Sequence, residues 1–131
     1  MRTRLPFDYA ILRVVPRVDR GEFVNAGVLV YCLQRDFLQA RTVFQEDRLR
    51  ALWPHLDLDA LTAHLHAFER IAKGDPTAGP VARLPQKERF HWLVAPRSTV
   101  LQASPVHSGL CEDPLAALGR LIDQMVRLPQ T

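Results

Sequence analysis

Long apolar runs are missing from this 131-residue sequence, and with them the roughly 20 residues that a membrane helix requires. Runs such as Val28–Leu33 stop far short of that length. The basic start M-R-T-R-L-P-F-D-Y leads into no apolar h-region, so no secretory signal is expected and the cytoplasm is the expected compartment. Cysteine is scarce. Cys32 and Cys111 are too few for a zinc pattern, and a reducing compartment disfavours a structural disulfide between them. Cys32 closes an apolar run and reads as a small core residue. Cys111, in S-G-L-C-E-D, has two carboxylates beside it, which raise a thiol pKa and speak against an activated nucleophile.

Lysine is almost absent. Of seventeen cations only Lys73 and Lys87 are lysine, and the rest are arginine, whose planar fork suits phosphates and carboxylates. These arginines are scattered and the net charge is only +3, so the clustered footprint of a nucleic-acid binder is not there. A genome rich in G and C produces the same bias with no partner at all. Phosphate and nucleophile motifs are missing as well: there is no G-x-x-x-x-G-K-[ST] and no G-x-S-x-G. His64 and His66 stand two apart on a helical stretch and point to different faces, unlike a metal pair at i,i+4. No metal and no cofactor is expected.

What is present is the material of one α+β domain over residues 1–131, large enough for its own core. The expected architecture is a small, mainly antiparallel sheet of about four strands packed against three or four helices. Phe7–Val15 and Val28–Leu33 are apolar at both parities, which predicts strands covered on both faces. The turn Gln34-Arg35-Asp36 then leads into a third strand, Phe37–Phe44, as a hairpin. Glu46 and Asp47 suit the first turn of a helix that Pro54 stops. Asp57 caps a longer helix with the stripe Leu58, Leu61, Leu65, Phe68 and Ala72, ended by Gly74 and Pro76. Asp75–Arg83 reads as a Pro/Gly-rich mobile loop. A short helix follows through Phe90, Trp92 and Val94, then a fourth strand at Thr99–Ala103 and an irregular return over Ser104–Asp113. Asp113 and Pro114 open a last helix with Leu115, Leu118, Ile122 and Met125 as its buried stripe.

Polar residues set into this apolar frame are the candidates for a binding site: Arg13, Arg17, Glu22, Asn25, Arg97 and His107. Arg13 interrupts an apolar strand. If buried it needs a partner, and Glu22 is the expected one. The connection R-V-D-R-G-E-F-V-N-A-G holds Arg17, Glu22 and Asn25, with Gly21 and Gly27 fitting positive φ or close backbone approach. Arg97 and His107 flank the fourth strand in A-P-R-S-T-V-L-Q-A-S-P-V-H-S-G-L. A Ser–His nucleophile would also need an elbow and an orienting acid, so turn chemistry or a polar binding loop is the better reading of that stretch.

The block F-D-Y-A-I-L-R-V-V-P-R-V-x-R-G-E-F-V-N-A-G-V-L-V-Y-C, the later F-H-W-L-V-A-P-R-S-T-V-L-Q, and P-V-H-S-G-L ahead of a D-P-L helix resemble the bacterial family catalogued as domain of unknown function 3037. The likeness spans nearly the whole chain. It implies a small, stand-alone cytoplasmic protein with a HipA-like serine/threonine kinase as a candidate partner, and it assigns no functional residue. Two classes of function stay open. One is a non-catalytic binding or accessory module using the Arg17–Asn25 loop and its sheet surface. The other is a small enzyme or phosphoryl/nucleotide-binding protein using the same polar residues, since such clusters gather at functional sites. A toxin-like nuclease is a weaker third, for want of clustered carboxylates to hold a metal.

Overall fold

The computed structural model describes residues 3–128. Its sheet is built from β1 (Leu5–Val14), β2 (Val24–Cys32), β3 (Phe37–Thr42), β4 (Leu101–Ala103) and β5 (His107–Cys111), all paired antiparallel. The helices are α1 (Glu46–Leu52), α2 (Leu58–Lys73), α3 (Gln86–Val94) and α4 (Pro114–Met125). The α+β expectation holds, with five strands among the described residues in place of about four. The order is β3-β2-β1, and the far side of β1 is shared: β5 pairs with its first half and β4 with its second.

Apolar residues at both parities mean a sheet covered on both faces. Phe7, Val28, Val30 and Cys32 point to α4 and meet Ala117, Leu118, Leu121 and Ile122. On the opposite face Leu12, Leu29, Tyr31 and Leu38 pack with Phe68 and Ala72 of α2 and with Phe90 and Leu93 of α3. Val14, Val24 and Ala26 continue that face against Leu49 of α1 and Leu61 and Leu65 of α2. Each of the fully buried Val, Leu, Ile and Phe side chains among these is worth about 1.5–3 kcal/mol. Gly27 lies in β2 where a Cβ would come within 2.6 Å of the Arg41 carbonyl oxygen, so close strand approach is what requires glycine there.

Helix punctuation follows the sequence closely. The Asp57 carboxylate accepts from Ala60 N at 3.1 Å, Gly74 closes α2 in the left-handed region, and the Asp113 carboxylate accepts from Leu115 N ahead of α4. At the other end of α4 the free carbonyls are met by side chains from elsewhere. Asn25 Nδ2 donates to Met125 O at 3.0 Å, while Gln45 Nε2 and Arg48 Nη1 donate to Val126 O.

Several expectations are corrected. β2 starts at Val24, four residues before the apolar run, because Val24 and Ala26 face the core while Asn25 faces α4's end. The segment Ser104–Asp113 is not an irregular return, since His107–Cys111 forms β5 along Leu5–Tyr9. In α4, Leu115 and Met125 are exposed, and Ala117, Leu121 and Val126 join Leu118 and Ile122 in the core. In α3 the inward residues are Phe90 and Leu93, and Trp92 stays 40% exposed. Residues 75–83 contain two 3-10 turns in place of an open loop. Asp75 organises the first turn: its carboxylate accepts from the Thr77 hydroxyl and amide and from Arg70 Nε.

Ser104 is the one buried polar side chain among the described residues, 2% exposed. Its amide donates to Ile11 O at 2.8 Å and its Oγ accepts from Ile11 N at 2.8 Å, so it pairs β1 at the gap between β4 and β5. Ser104→Ala leaves the Ile11 N–H buried without an acceptor and is expected to destabilise by about 1–3 kcal/mol in urea melts. Val106→Ala, on the exposed side of the same connection, is expected to shift the midpoint much less.

The bonds from Thr77, and then from Arg70, hold the Asp75 carboxyl down to about 2. The folded value lies below the ordinary one, so the carboxylate's contribution is complete above the unfolded pKa and disappears as pH falls toward about 2. An NMR titration is expected to find Asp75 protonating near there in the native chain, and at higher pH in Thr77→Val.

Candidate functional site

The structure distributes the six candidate residues over three places. Arg13 and Asn25 are register partners on β1 and β2, next to a register shift between Leu12 and Arg13, and their side chains share the α4 face of the sheet. The Arg13 guanidinium lies over the Phe23 ring, 4.3 Å from its centroid. Its Nε–H is buried with no hydrogen-bond partner, and so is the Asn25 Oδ1. The expected Arg13–Glu22 pair is not made. Glu22 is bound by Arg20, two residues away in the turn, which reaches it without crossing Phe23.

α4 packs over β2 and β3 and leaves much of β1 on this face uncovered. The row Tyr9, Ile11 and Arg13 is consequently only half-buried. His107 stands on the same face, opposite Tyr9 in register, with ring centroids 5.4 Å apart. Gln102 is opposite Arg13 on β4, and Phe23, 45% exposed, closes the far end. Three of the six residues, Arg13, Asn25 and His107, therefore belong to one open stretch of sheet that they share with Tyr9, Ile11, Phe23 and Gln102. The part played by Tyr9 and Ile11 was legible only as strand propensity, because half-exposure of β1 depends on where α4 lies.

The second place is the connection between β1 and β2. Arg17 is paired with Asp19 at 2.6 Å and its guanidinium lies 5.1 Å from the Trp53 ring centroid. The Arg17 bond holds the Asp19 carboxyl below its ordinary pKa. Gly21 takes φ +73°, the left-handed conformation expected of it. Arg17, Arg20 and Glu22 line a crevice against Leu52 and Trp53 that has no room for a water molecule. The loop is thus a set of exposed, mutually neutralised pairs at the end of α1, each worth little to stability.

Arg97 is in the third place, on the opposite side of the sheet. It lines an apolar groove of about 560 Å³ between α2, the end of α3 and the segment leading into β4. Its guanidinium stacks 4.6 Å from the Trp92 ring centroid and donates to the Trp92 carbonyl. Nothing in the sequence marked this groove as a cavity: of its α2 residues only Phe68 belongs to the stripe read from the sequence, and there it read as core.

Among the described residues no three His, Cys, Asp or Glu side chains gather as metal ligands. Both cysteines are in the core, and the Cys111 thiol is pushed up, first by burial and only last by the neighbouring Asp113. No helix among the described residues is long and apolar enough to cross a membrane.

Among curated proteins and among solved structures, none matches the chain significantly. The family described as "Protein of unknown function (DUF3037)" matches residues 9–126, nearly the full length, and the chain belongs to that family.

Proposed function

We propose that the protein is a non-catalytic binding or accessory module of the bacterial cytoplasm that docks one protein partner on the open stretch of sheet beside α4. The candidate partner, from the family resemblance, is a HipA-like kinase. One observation carries this reading: Arg13 is held over Phe23 among half-buried Tyr9, Ile11 and His107, with a buried Nε–H that finds no acceptor. Leaving that donor unpaired disfavours the conformation by about 1–3 kcal/mol, so the side chain gains by moving onto an acceptor brought from outside. Arginine and aromatic side chains together are also the composition of interface hot spots. A partner carboxylate placed between Arg13 and His107 satisfies the donor while its neighbours bury apolar surface.

The alternative of a phosphoryl- or nucleotide-binding enzyme would draw on all six polar residues, and their separation over both sides of the sheet offers it no shared pocket. The Arg17–Glu22 loop contributes to docking at most from the side, since its charges already answer one another.

Arg13→Leu tests the proposal. It removes an unpaired donor and one cation–π contact, so unfolding free energy is expected to change by no more than about 1 kcal/mol. Co-purification with a co-expressed HipA-like kinase from the same host is expected to weaken by on the order of 2 kcal/mol, the scale of a hot spot. Recovery of the kinase in equal yield by wild type and Arg13→Leu would sink the proposed role of this surface, and no kinase in either would sink the partner.

A further inference from the structure

The groove on the other side of the sheet is independent of that surface and has a chemistry of its own. Its walls are Ala67, Phe68 and Ile71 of α2, Trp92 of α3, and Val100 with Leu101 at the start of β4. At about 560 Å³ it falls within the size range of small-molecule sites, which are typically apolar with a few placed polar groups. The polar groups here are few. Thr99 already donates its hydroxyl to Leu101 O, His64 is exposed at the rim of α2, and Arg97 remains.

Arg97 differs from the exposed arginines of the surface pairs. Arg17, Arg20 and Arg70 each have a carboxylate. Arg97 has a ring beneath it and one backbone carbonyl, and no carboxylate among the described residues. Stacking on Trp92 fixes the plane of the fork, so little freedom is lost when an anion engages the remaining N–H groups. An apolar trough ending in a fixed, unneutralised fork matches an apolar tail ending in a carboxylate. An extended peptide matches less well, because its amide groups would be pressed against walls with almost nothing to pair them. A saturated chain brings no such groups.

We propose that this groove binds a single-chain anionic amphiphile of the fatty carboxylate class, with the alkyl chain against Phe68, Ile71 and Leu101 and the carboxylate on Arg97. Trp92 supplies the readout. In Trp53→Phe it is the sole tryptophan, and sodium dodecanoate below its micellar concentration is expected to shift its emission to the blue in a saturable way. Arg97→Gln is expected to weaken dodecanoate at least about tenfold, the loss of one charge-assisted forked contact, and to leave neutral dodecanol unaffected. Ala67→Phe, which fills the trough from the half-buried side of α2 without adding a second tryptophan, is expected to abolish binding of both while the far-ultraviolet spectrum stays native. Arg97→Lys, which keeps the charge without the planar fork, is expected to fall between.

Several results would overturn the proposal: no saturable shift, equal affinity for dodecanoate and dodecanol in the wild-type background, or an Arg97→Gln variant that binds dodecanoate as tightly as before. So would a homodimer in sedimentation that Ala67→Phe dissociates, or a shift of Trp92 emission by an amphipathic helical peptide but not by dodecanoate. Those last two outcomes would give the groove to a second copy or to a partner helix.

Discussion

Everything in this fold hangs on β1 having both of its edges paired. β1 runs through the middle of the sheet, with α2 and α3 packed over one face, so its amides find their partners in the strands on either side. β2 satisfies one edge from Asp8 to Val14. No single strand satisfies the other, because the chain returns from α3 as two short pieces, three and five residues long, with a proline-containing step between them. The join falls at Ile11, where Ser104 substitutes for a ladder pair with its amide and its hydroxyl together. A small polar residue in the most apolar part of the molecule is thereby explained: it completes a strand that two half-strands leave open.

The same shared edge separates the two candidate sites. β4 carries the chain out of the groove that Arg97 lines, with Leu101 on the groove's side of the sheet and Gln102 on the side of Arg13. β5 places His107 across from Tyr9, and Gly109 lets the Phe7 ring approach its backbone. On the α4 side the tie from Asn25, Gln45 and Arg48 to the last carbonyls of α4 holds that helix over β2. Held there, it leaves Tyr9, Ile11 and Arg13 half-covered. The open stretch is thus a by-product of where α4 is fastened.

Much of this was legible in the residues. Asp57, Gly74, Asp113 and Pro114 act locally, through caps within a turn of the chain, and local chemistry can be read from local sequence. The two-parity strands announced two covering layers for the same reason. What escaped was set by distant packing. β5 is short, polar and glycine-containing, and only its pairing to Leu5–Tyr9 makes it a strand. Leu115 and Met125 continue the apolar stripe of α4 in sequence, yet they overhang the sheet they would need to touch. Arg13 was recognisable as an anomaly. Its neighbour could not be, since Arg20 lies closer to Glu22 along the chain and the face of the sheet puts Phe23 beneath Arg13.

Five of the surface arginines close onto carboxylates a few residues away: Arg17 on Asp19, Arg20 on Glu22, Arg50 on Glu46, Arg70 on Asp75 and Arg127 on Asp123. Each closed pair acts on its surroundings as a small dipole, whose field fades faster with distance than that of a lone charge. Beyond the roughly 8 Å over which salt lets a charge be felt in the cell, these five pairs are close to electrically silent. What guides a partner or a ligand from a distance is therefore the modest net charge of +3 left on the rest of the chain. Selectivity rests on how long a bound molecule stays once its apolar surface has left water.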